Sequence, residues 1–265
     1  MPKLVAPDGV KIDYDDEGTG EPALLFMTAW CMSRSIYAGM IPLLAKKRRV
    51  LALDWRGHGE SERPKTDFGA EDLINDCIAL IEKSGVEKVI PVTSSHAGWI
   101  GIELRNRLGD NIPKIALLDW LLFPPPPEYV ELVQGLNDEN RWEATRDILF
   151  SIWLEGVNNE DVIHFIKDEM GSYGVDTWMR SGREIGGCYQ RGGSPILALQ
   201  SMDPKIPILH VYAQPNDPGY LKAQQDFSAA NPWFSVERVN AKSHFPSFEV
   251  PEAIAGAIED FASQP

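Results

Sequence analysis

The sequence predicts an α/β protein with a mostly parallel central sheet and an inserted helical cap. Three observations lead to this prediction. Short, continuous apolar runs, typical of strands buried on both faces, alternate with stretches that have the apolar spacing of amphipathic helices. The alternation stops at four consecutive prolines, residues 124–127, and a stretch of helical character with many aromatic residues follows. Strand and helix resume their alternation at residue 206.

The elements follow in order along the chain. The tight-turn pair Asp8-Gly9 predicts a hairpin at the start of the chain. Gly85 is expected to end the helix predicted at residues 70–84. Strands are predicted at residues 23–27, 50–54, 89–92, 115–118, 206–212 and 234–239, and helices at 36–46, 70–84, 100–109, 220–230 and 251–262. We therefore expect one α/β core, formed by residues 1–123 and 190–265, and a helical cap at residues 124–189.

Composition narrows the class of partner. The net charge of −14 over 265 residues argues against nucleic-acid binding, because phosphates need a basic surface. Cys31, Cys77 and Cys188 are widely spaced, so neither a disulfide framework nor a zinc site is expected. No signal-peptide core follows Met1, and no run approaches the ~18 apolar residues of a membrane span. We expect a cytoplasmic monomer or dimer that acts on small molecules.

Ser95 lies in the stretch around which the chain is organised. The segment Thr93-Ser94-Ser95-His96-Ala97 joins an apolar strand run to a helical run. Small residues on both sides of a serine, between a strand and a helix, are the pattern of a nucleophile elbow, which presents the hydroxyl at the edge of the sheet. Glycines are commoner at positions 93 and 97. A plain serine-rich turn has the same pattern, so the rest of the chain must decide.

His244 is the histidine best placed to act with Ser95, because it lies in the loop before the last predicted helix. Two acids can orient it: Asp119, after the strand that follows the elbow, and Asp217, after the next strand. The residues alone leave this choice open.

The other histidines have other expected roles. His58 is expected to be structural, His210 to be packed in the core and His164 to be solvated on the cap. His96 is expected to act through its backbone N–H. No group has metal-ligand spacing and no dinucleotide-binding glycine motif follows a strand.

The elbow, the loop Arg56-Gly57-His58-Gly59, the helical insertion and the late histidine together resemble the α/β-hydrolase fold, over essentially the whole chain. This resemblance implies the chain order of nucleophile position, acid and histidine. It places Ser95 at the nucleophile position and His244 at the histidine position. It also implies that the backbone N–H groups of His96 and Trp30 form an oxyanion hole.

Eight sequence blocks narrow the resemblance further. They are Trp30-Cys31, Asp54-Trp55-Arg56-Gly57-His58-Gly59, Ser95-His96-Ala97-Gly98-Trp99, Asp119-Trp120, Phe150-Ser151-Ile152-Trp153-Leu154, Arg180-Ser181-Gly182-Arg183, Asn231-Pro232-Trp233-Phe234-Ser235 and Ser243-His244-Phe245-Pro246. In this order they resemble the cofactor-independent 2,4-dioxygenases that open 3-hydroxy-4-oxoquinoline and quinaldine rings. The likeness is to the branch that acts on 2-alkyl-3-hydroxy-4(1H)-quinolones, the quorum-sensing type.

That resemblance implies a chemistry without metal or flavin. His244, oriented by Asp119, would deprotonate the 3-hydroxyl of the quinolone, and Ser95 would hydrogen-bond the substrate rather than attack it. Trp153 of the cap would wall the ring, and O2 would convert the anion to an N-acylanthranilate and carbon monoxide. Two further histidine positions of some family members are occupied here by Ser94 and Met32. The tryptophans expected to serve packing alone are Trp142, Trp178 and Trp233.

Two other functions remain open from the sequence. A serine hydrolase, an esterase or amidase, would use Ser95 as nucleophile with His244 and either Asp119 or Asp217. A non-catalytic receptor on the same fold would bind a small molecule under the cap without turnover. Substitution of Ser95 separates the hydrolase from the dioxygenase, because only the hydrolase needs an acylated serine.

Overall fold

A computed structural model describes residues 3–264 and shows an eight-stranded sheet in the order β1-β2-β4-β3-β5-β6-β7-β8. The strands β1 and β2 run antiparallel to their neighbours, and the strands from β4 to β8 pair in parallel. Their bounds are β1 Lys3–Val5, β2 Lys11–Glu17, β3 Ala23–Met27, β4 Val50–Leu53, β5 Val89–Ser94, β6 Ile115–Leu118, β7 Ile208–Tyr212 and β8 Phe234–Arg238. All the predicted strands are present.

The central strands read as continuous apolar runs because helices cover both faces of the sheet. Every residue of β3, β4, β6 and β7 is buried. The helices are α1 Ile41–Leu44, α2 Ala70–Ser84, α3 Ala97–Leu108, α4 Pro127–Leu136, α5 Trp142–Leu154, α6 Glu160–His164, α7 Val175–Gly192, α8 Pro195–Ser201, α9 Pro218–Ala230, α10 Pro246–Glu249 and α11 Pro251–Ser263. Within residues 3–264, none of them is long and apolar enough to cross a membrane.

The helix predicted at residues 36–46 is wrong. The chain forms a 3-10 turn at Arg34–Tyr37 and then only the single-turn helix α1. Pro42 explains the break, since its ring lacks an N–H and collides with the carbonyl four residues earlier, so it fits only the first turn of a new helix. By contrast, α2 has the predicted bounds, and Gly85 ends it with a left-handed φ of 69°.

The predicted helical segment occupies the chain between β6 and β7. It contains α4 to α7 and one turn of π-helix, Phe165–Met170, and α8 follows it as a further helix outside the predicted cap. The predicted boundary at residue 189 falls inside α7, which runs on to Gly192 because the left-handed turn comes only at Gly193, with φ 70°. We propose that the chain divides into an α/β core and a helical cap, the cap being the helical segment α4 to α7 between β6 and β7. Residues 1, 2 and 265, which carry the predicted outer limits and the start of the N-terminal segment, lie outside the described residues.

The carboxyl ends of the parallel strands carry the unusual backbone. Within residues 3–264, three residues other than glycine have positive φ: Cys31 at 61°, Ser95 at 49° and Asp119 at 49°. They follow β3, β5 and β6, three neighbouring strands of the sheet. Left-handed backbone at such residues costs about 1–3 kcal/mol and persists only where surrounding structure enforces it. Ligand sites of open α/β sheets lie at this edge.

Candidate active site

Ser95 occupies a tight turn between β5 and α3, as the elbow pattern predicts. Its N–H donates to the carbonyl oxygen of Leu118 at 2.8 Å, which ties the turn to the end of β6. Gly98, in the first turn of α3, lets the Trp120 ring pack closely, since an added Cβ would lie 2.2 Å from that ring. The residues that follow β5 and β6 are therefore fixed against each other, and they hold Ser95 beside Asp119.

The structure brings Asp119 to His244. His244 Nδ1 lies 3.7 Å from Asp119 Oδ1, which is within ion-pair range and longer than a hydrogen bond. Contacts of this kind are often long in ligand-free enzymes and tighten when substrate binds. The backbone N–H of Gln214 also donates to Asp119 Oδ1, at 3.2 Å. Within residues 3–264, the buried Oδ2 atom of Asp119 has no partner.

Asp217, the other acid that the sequence left open, serves a different purpose. It is the N-cap of α9, and its Oδ1 accepts the N–H of Tyr220 at 2.6 Å. Its side chain is exposed, and it has no contact with His244 among the described residues. Of the two acids, the geometry therefore favours Asp119 as the partner of His244.

The loop that carries His244 is held by Glu249, which sequence reasoning missed. The N–H of Ser243 donates to Glu249 Oε1 at 2.8 Å and its hydroxyl donates to the same oxygen at 2.5 Å. The indole of Trp153 stacks on the His244 imidazole, with ring centres 5.7 Å apart and planes at 17°. No motif in the sequence signals the Glu249 contact, because it depends on how the short helix α10 turns back over the loop.

The side chain of His96 makes a contact that the sequence did not predict. Its Nε2 lies 2.9 Å from the hydroxyl of Tyr129 on α4. Burial and, to a smaller extent, charge on His244 together lower the pKa of His96 to about 3, so the His96 ring is neutral near pH 7. The backbone N–H groups of Trp30 and His96 have no acceptor within residues 3–264. Both are therefore free to bind an oxyanion.

The other histidines take the predicted structural positions. His58 is buried beside Arg56, whose carbonyl oxygen lies 3.0 Å from its Nδ1, and burial lowers its pKa to about 4. His210 lies in β7, accepts the N–H of Trp120 at Nε2 and contacts Gln224 through Nδ1; its pKa is also lowered to about 4 by burial. His164 is exposed on α6.

A cavity of about 980 Å³ lies over Ser95, Asp119 and His244, between the strand ends and the cap helices. Its cap side is mainly apolar and includes Trp178, which packs edge-on against Phe150. The expectation that Trp178 serves packing alone is wrong, because its side chain also lines the cavity. The remaining lining residues from α4, α5 and α7 are Tyr129, Leu132, Val133, Leu136, Leu149, Ile152, Trp153, Ser181 and Ile185.

Other parts of the molecule do not compete with this cavity as the chemical site. A groove of about 1110 Å³ between α2, α3, α7 and α8 is slightly larger, but neither Ser95 nor His244 lines it. Of the two positions where some family members have histidine, Met32 lines the main cavity and the Ser94 hydroxyl accepts that of Tyr37 at 2.8 Å. Residues 3–264 hold no group of three or more histidine, cysteine or acidic side chains arranged for a metal ion.

Comparison with known proteins extends the likeness over the whole chain. The family model of the alpha/beta hydrolase fold matches residues 22–150. A 2-heptyl-3-hydroxy-4(1H)-quinolone dioxygenase from Mycobacteroides abscessus is 34% identical over 256 residues, covering 96% of this chain and 95% of that protein. The 1H-3-hydroxy-4-oxoquinoline 2,4-dioxygenase of Pseudomonas putida is 33% identical over 256 residues, covering 96% and 97%. The chain belongs to this family of 3-hydroxy-4-quinolone 2,4-dioxygenases.

Solved structures agree with membership of the dioxygenase family. The enzyme AqDC, in complex with its product in a study of ring cleavage of the Pseudomonas quinolone signal, has a TM-score of 0.94 and 32% identity, with 100% of both chains covered. The resemblance of the eight sequence blocks to these dioxygenases is confirmed, as is the α/β-hydrolase fold.

Proposed function

We propose that the protein is a cofactor-independent 2,4-dioxygenase of 2-alkyl-3-hydroxy-4(1H)-quinolones, such as 2-heptyl-3-hydroxy-4(1H)-quinolone. The products are an N-acylanthranilate and carbon monoxide. One observation carries the proposal: the chain is 34% identical, over 96% of its length, to a dioxygenase of that quinolone. The cavity supports it, because a His–Asp pair lies under an apolar chamber that suits an alkylated aromatic ring.

In this reaction the substrate supplies the electrons. Triplet O2 reacts slowly with closed-shell molecules, whereas the anion of a 3-hydroxy-4-quinolone is electron-rich enough to reduce it. O2 adds at C2 and bridges to C4. One oxygen atom then remains in the amide carbonyl and the other in the carboxylate, while C3 leaves with its own oxygen as carbon monoxide. The task of the protein is to form the anion and hold it away from water.

His244 takes the proton of the 3-hydroxyl group in this proposal. Its Nδ1 faces Asp119 at 3.7 Å, which leaves Nε2 for the substrate. Asp119 fixes the imidazole in that tautomer and stabilises the imidazolium that forms. Because His96 stays neutral, with a pKa lowered to about 3, it does not compete for the proton.

The N–H groups of Trp30 and His96 bind the C4 oxygen as charge develops on it. Donors of this kind contribute about 2.7–4 kcal/mol each to the stabilisation of an oxyanion in hydrolases. Ser95 hydrogen-bonds the bound substrate from the elbow, and the indole of Trp153 forms the wall beside His244. The apolar side chains of the cap exclude water from the anion and cover the alkyl chain.

The decisive experiment measures carbon monoxide in the headspace when purified, metal-free protein meets 2-heptyl-3-hydroxy-4(1H)-quinolone in air. We expect one carbon monoxide for each O2 consumed, none under nitrogen, and formation slower by about 10²–10⁴-fold with His244→Ala. Turnover that continues without O2 would show that the reaction is hydrolytic.

A serine hydrolase is the second candidate, because Ser95 has the backbone geometry that a nucleophile needs, a geometry that both functions share. Its left-handed φ of 49° between β5 and α3 is the conformation of a nucleophile elbow. Ser95→Ala separates the two functions. A hydrolase would lose turnover by several orders of magnitude, whereas the dioxygenase loses only the hydrogen bond of a positioning group and keeps most of its rate.

A further inference from the structure

A second, much smaller cavity lies behind the oxyanion loop. Its volume is about 10 Å³, and it shares Trp30, His96 and Ile185 with the main cavity and Trp99 with the outer groove. One water molecule needs about 10–15 Å³ of space occupied by a water-sized sphere, and here the 10 Å³ is the space open to the centre of such a sphere, so the sphere fits. The cavity therefore has room for a single small guest.

Polar atoms without partners surround this small cavity. Thr28 Oγ1, His96 Nδ1 and Trp99 Nε1 are buried and have no partner within residues 3–264, and all three residues line the cavity. Buried polar groups in native proteins are nearly always hydrogen-bonded to protein or ordered water, and a buried water usually makes two to four such bonds. A dry, purely apolar void would not be lined in this way.

The three residues belong to the two segments that carry the oxyanion donors. Thr28 precedes Trp30 in the loop after β3, and its carbonyl oxygen is already held by the Trp55 indole at 2.5 Å. His96 follows Ser95 at the elbow, and its Nε2 is engaged by Tyr129. Trp99 lies one turn further along α3.

We propose that one water molecule occupies this small cavity, bridges Thr28 Oγ1 to His96 Nδ1, accepts the indole N–H of Trp99, and fixes the spacing between the N–H groups of Trp30 and His96. The two donors come from separate strands, and the bridge joins their segments behind the oxyanion hole. The water also sets the orientation of the His96 ring, whose other nitrogen is held by Tyr129 on the cap. The kinetic part of this proposal rests on the proposed dioxygenase function, whereas the presence of the water does not.

The test combines crystallography with kinetics. A high-resolution crystal structure of the wild-type protein is expected to show a water within hydrogen-bond distance of Thr28 Oγ1 and His96 Nδ1. Thr28→Val keeps the side-chain shape and removes the hydroxyl, so the water is lost. Misplacement of reacting groups by about 1 Å costs as much as about 10²-fold in rate. We expect a smaller shift here, with kcat about tenfold lower and KM nearly unchanged.

Two variants serve as controls. Thr28→Ser retains the hydroxyl and is expected to keep the water and restore kcat. Thr145→Val makes the same substitution at another buried threonine, on α5 outside both cavities, and is expected to leave kcat unchanged. If Thr28→Val does not fold, Trp99→Phe removes a different bond to the same water and is expected to lower kcat likewise.

A dry cavity in the wild-type crystal structure overturns the inference. So does a water that stays in place in Thr28→Val, or one whose loss leaves kcat unchanged. A wild-type protein that forms no carbon monoxide from the quinolone refutes the proposed function instead, and the crystal structure still decides whether the water is present.

Discussion

The two sides of the main cavity differ in chemistry and in how the chain builds them. The core side presents Ser95, His96, Asp119 and His244 from loops at the ends of parallel strands. Backbone hydrogen bonds to neighbouring strands hold Ser95 and Asp119, and Glu249 holds the loop of His244. The cap side presents apolar and aromatic side chains whose positions depend on packing between α4, α5 and α7. The difference suggests that the strand ends perform the reaction and the cap selects what reacts.

The largest effect should come from removing the base. We expect His244→Ala to lower kcat by about 10²–10⁴-fold, the usual contribution of a general base, because the ring of His96, which also lines the cavity, has a pKa lowered to about 3 and is too weak a base to replace it. Steady-state rates of O2 uptake measure the loss. His164→Ala, an exposed histidine of the cap, is the matched control. If His244→Ala kept nearly full activity, His244 would not be the base, and the core side would not perform the reaction as proposed.

The core also differs from the cap in the protonation of its histidines: His58 and His210 are buried in the core, whereas His164 is exposed on the cap. The pKa values of His58 and His210 are lowered by burial from 6.5 to about 4, so the unfolded chain binds more protons between these pH values. Stability is therefore fully present above pH 6.5 and falls as the pH drops towards 4, by as much as about 3 kcal/mol for each histidine.

Urea unfolding at pH 7.5 and pH 5 tests this pH dependence. His58→Gln removes one of the two groups and is expected to weaken the dependence, whereas His164→Gln on the exposed face of α6 is expected to keep it. A free energy of unfolding that does not change between the two pH values would show that these histidines are not held neutral.

The same contrast explains what the sequence could and could not predict. The structure brings Ser95, Asp119 and His244 together as the sequence predicts, because strand ends place residues by register, and register is visible as apolar runs and short motifs. Sequence reasoning misses Glu249 because its contact depends on how α10 folds back over the His244 loop. It misses Gln214 because the contact with Asp119 is made by the backbone N–H, which any residue carries. The helix at residues 36–46 failed because Pro42 permits only the first turn of a new helix.

Packing at the elbow can be tested at Gly98, without a substitution of Ser95, Asp119 or His244. Gly98→Ala would place a Cβ 2.2 Å from the Trp120 ring, so the ring or α3 must move. We expect a loss of about 1–3 kcal/mol in the free energy of unfolding, as for other overpacked sites. Gly256→Ala on α11 has nothing within 4 Å of the new Cβ and is expected to stabilise by about 0.4–1 kcal/mol. Equal stability of the two variants in thermal unfolding would contradict the close packing.

The smallest effect tests whether the cap only selects. Trp153 and Trp142 both lie on α5, but Trp153 lines the cavity and stacks on His244, whereas Trp142 packs against Arg146 away from it. We expect Trp153→Ala to raise KM for the quinolone about tenfold, equivalent to about 1.4 kcal/mol, with kcat changed little. Trp142→Ala should leave both constants unchanged. If Trp153→Ala instead lowers kcat as much as His244→Ala does, the indole acts in the chemical step, and the division between a reactive core side and a selective cap side fails.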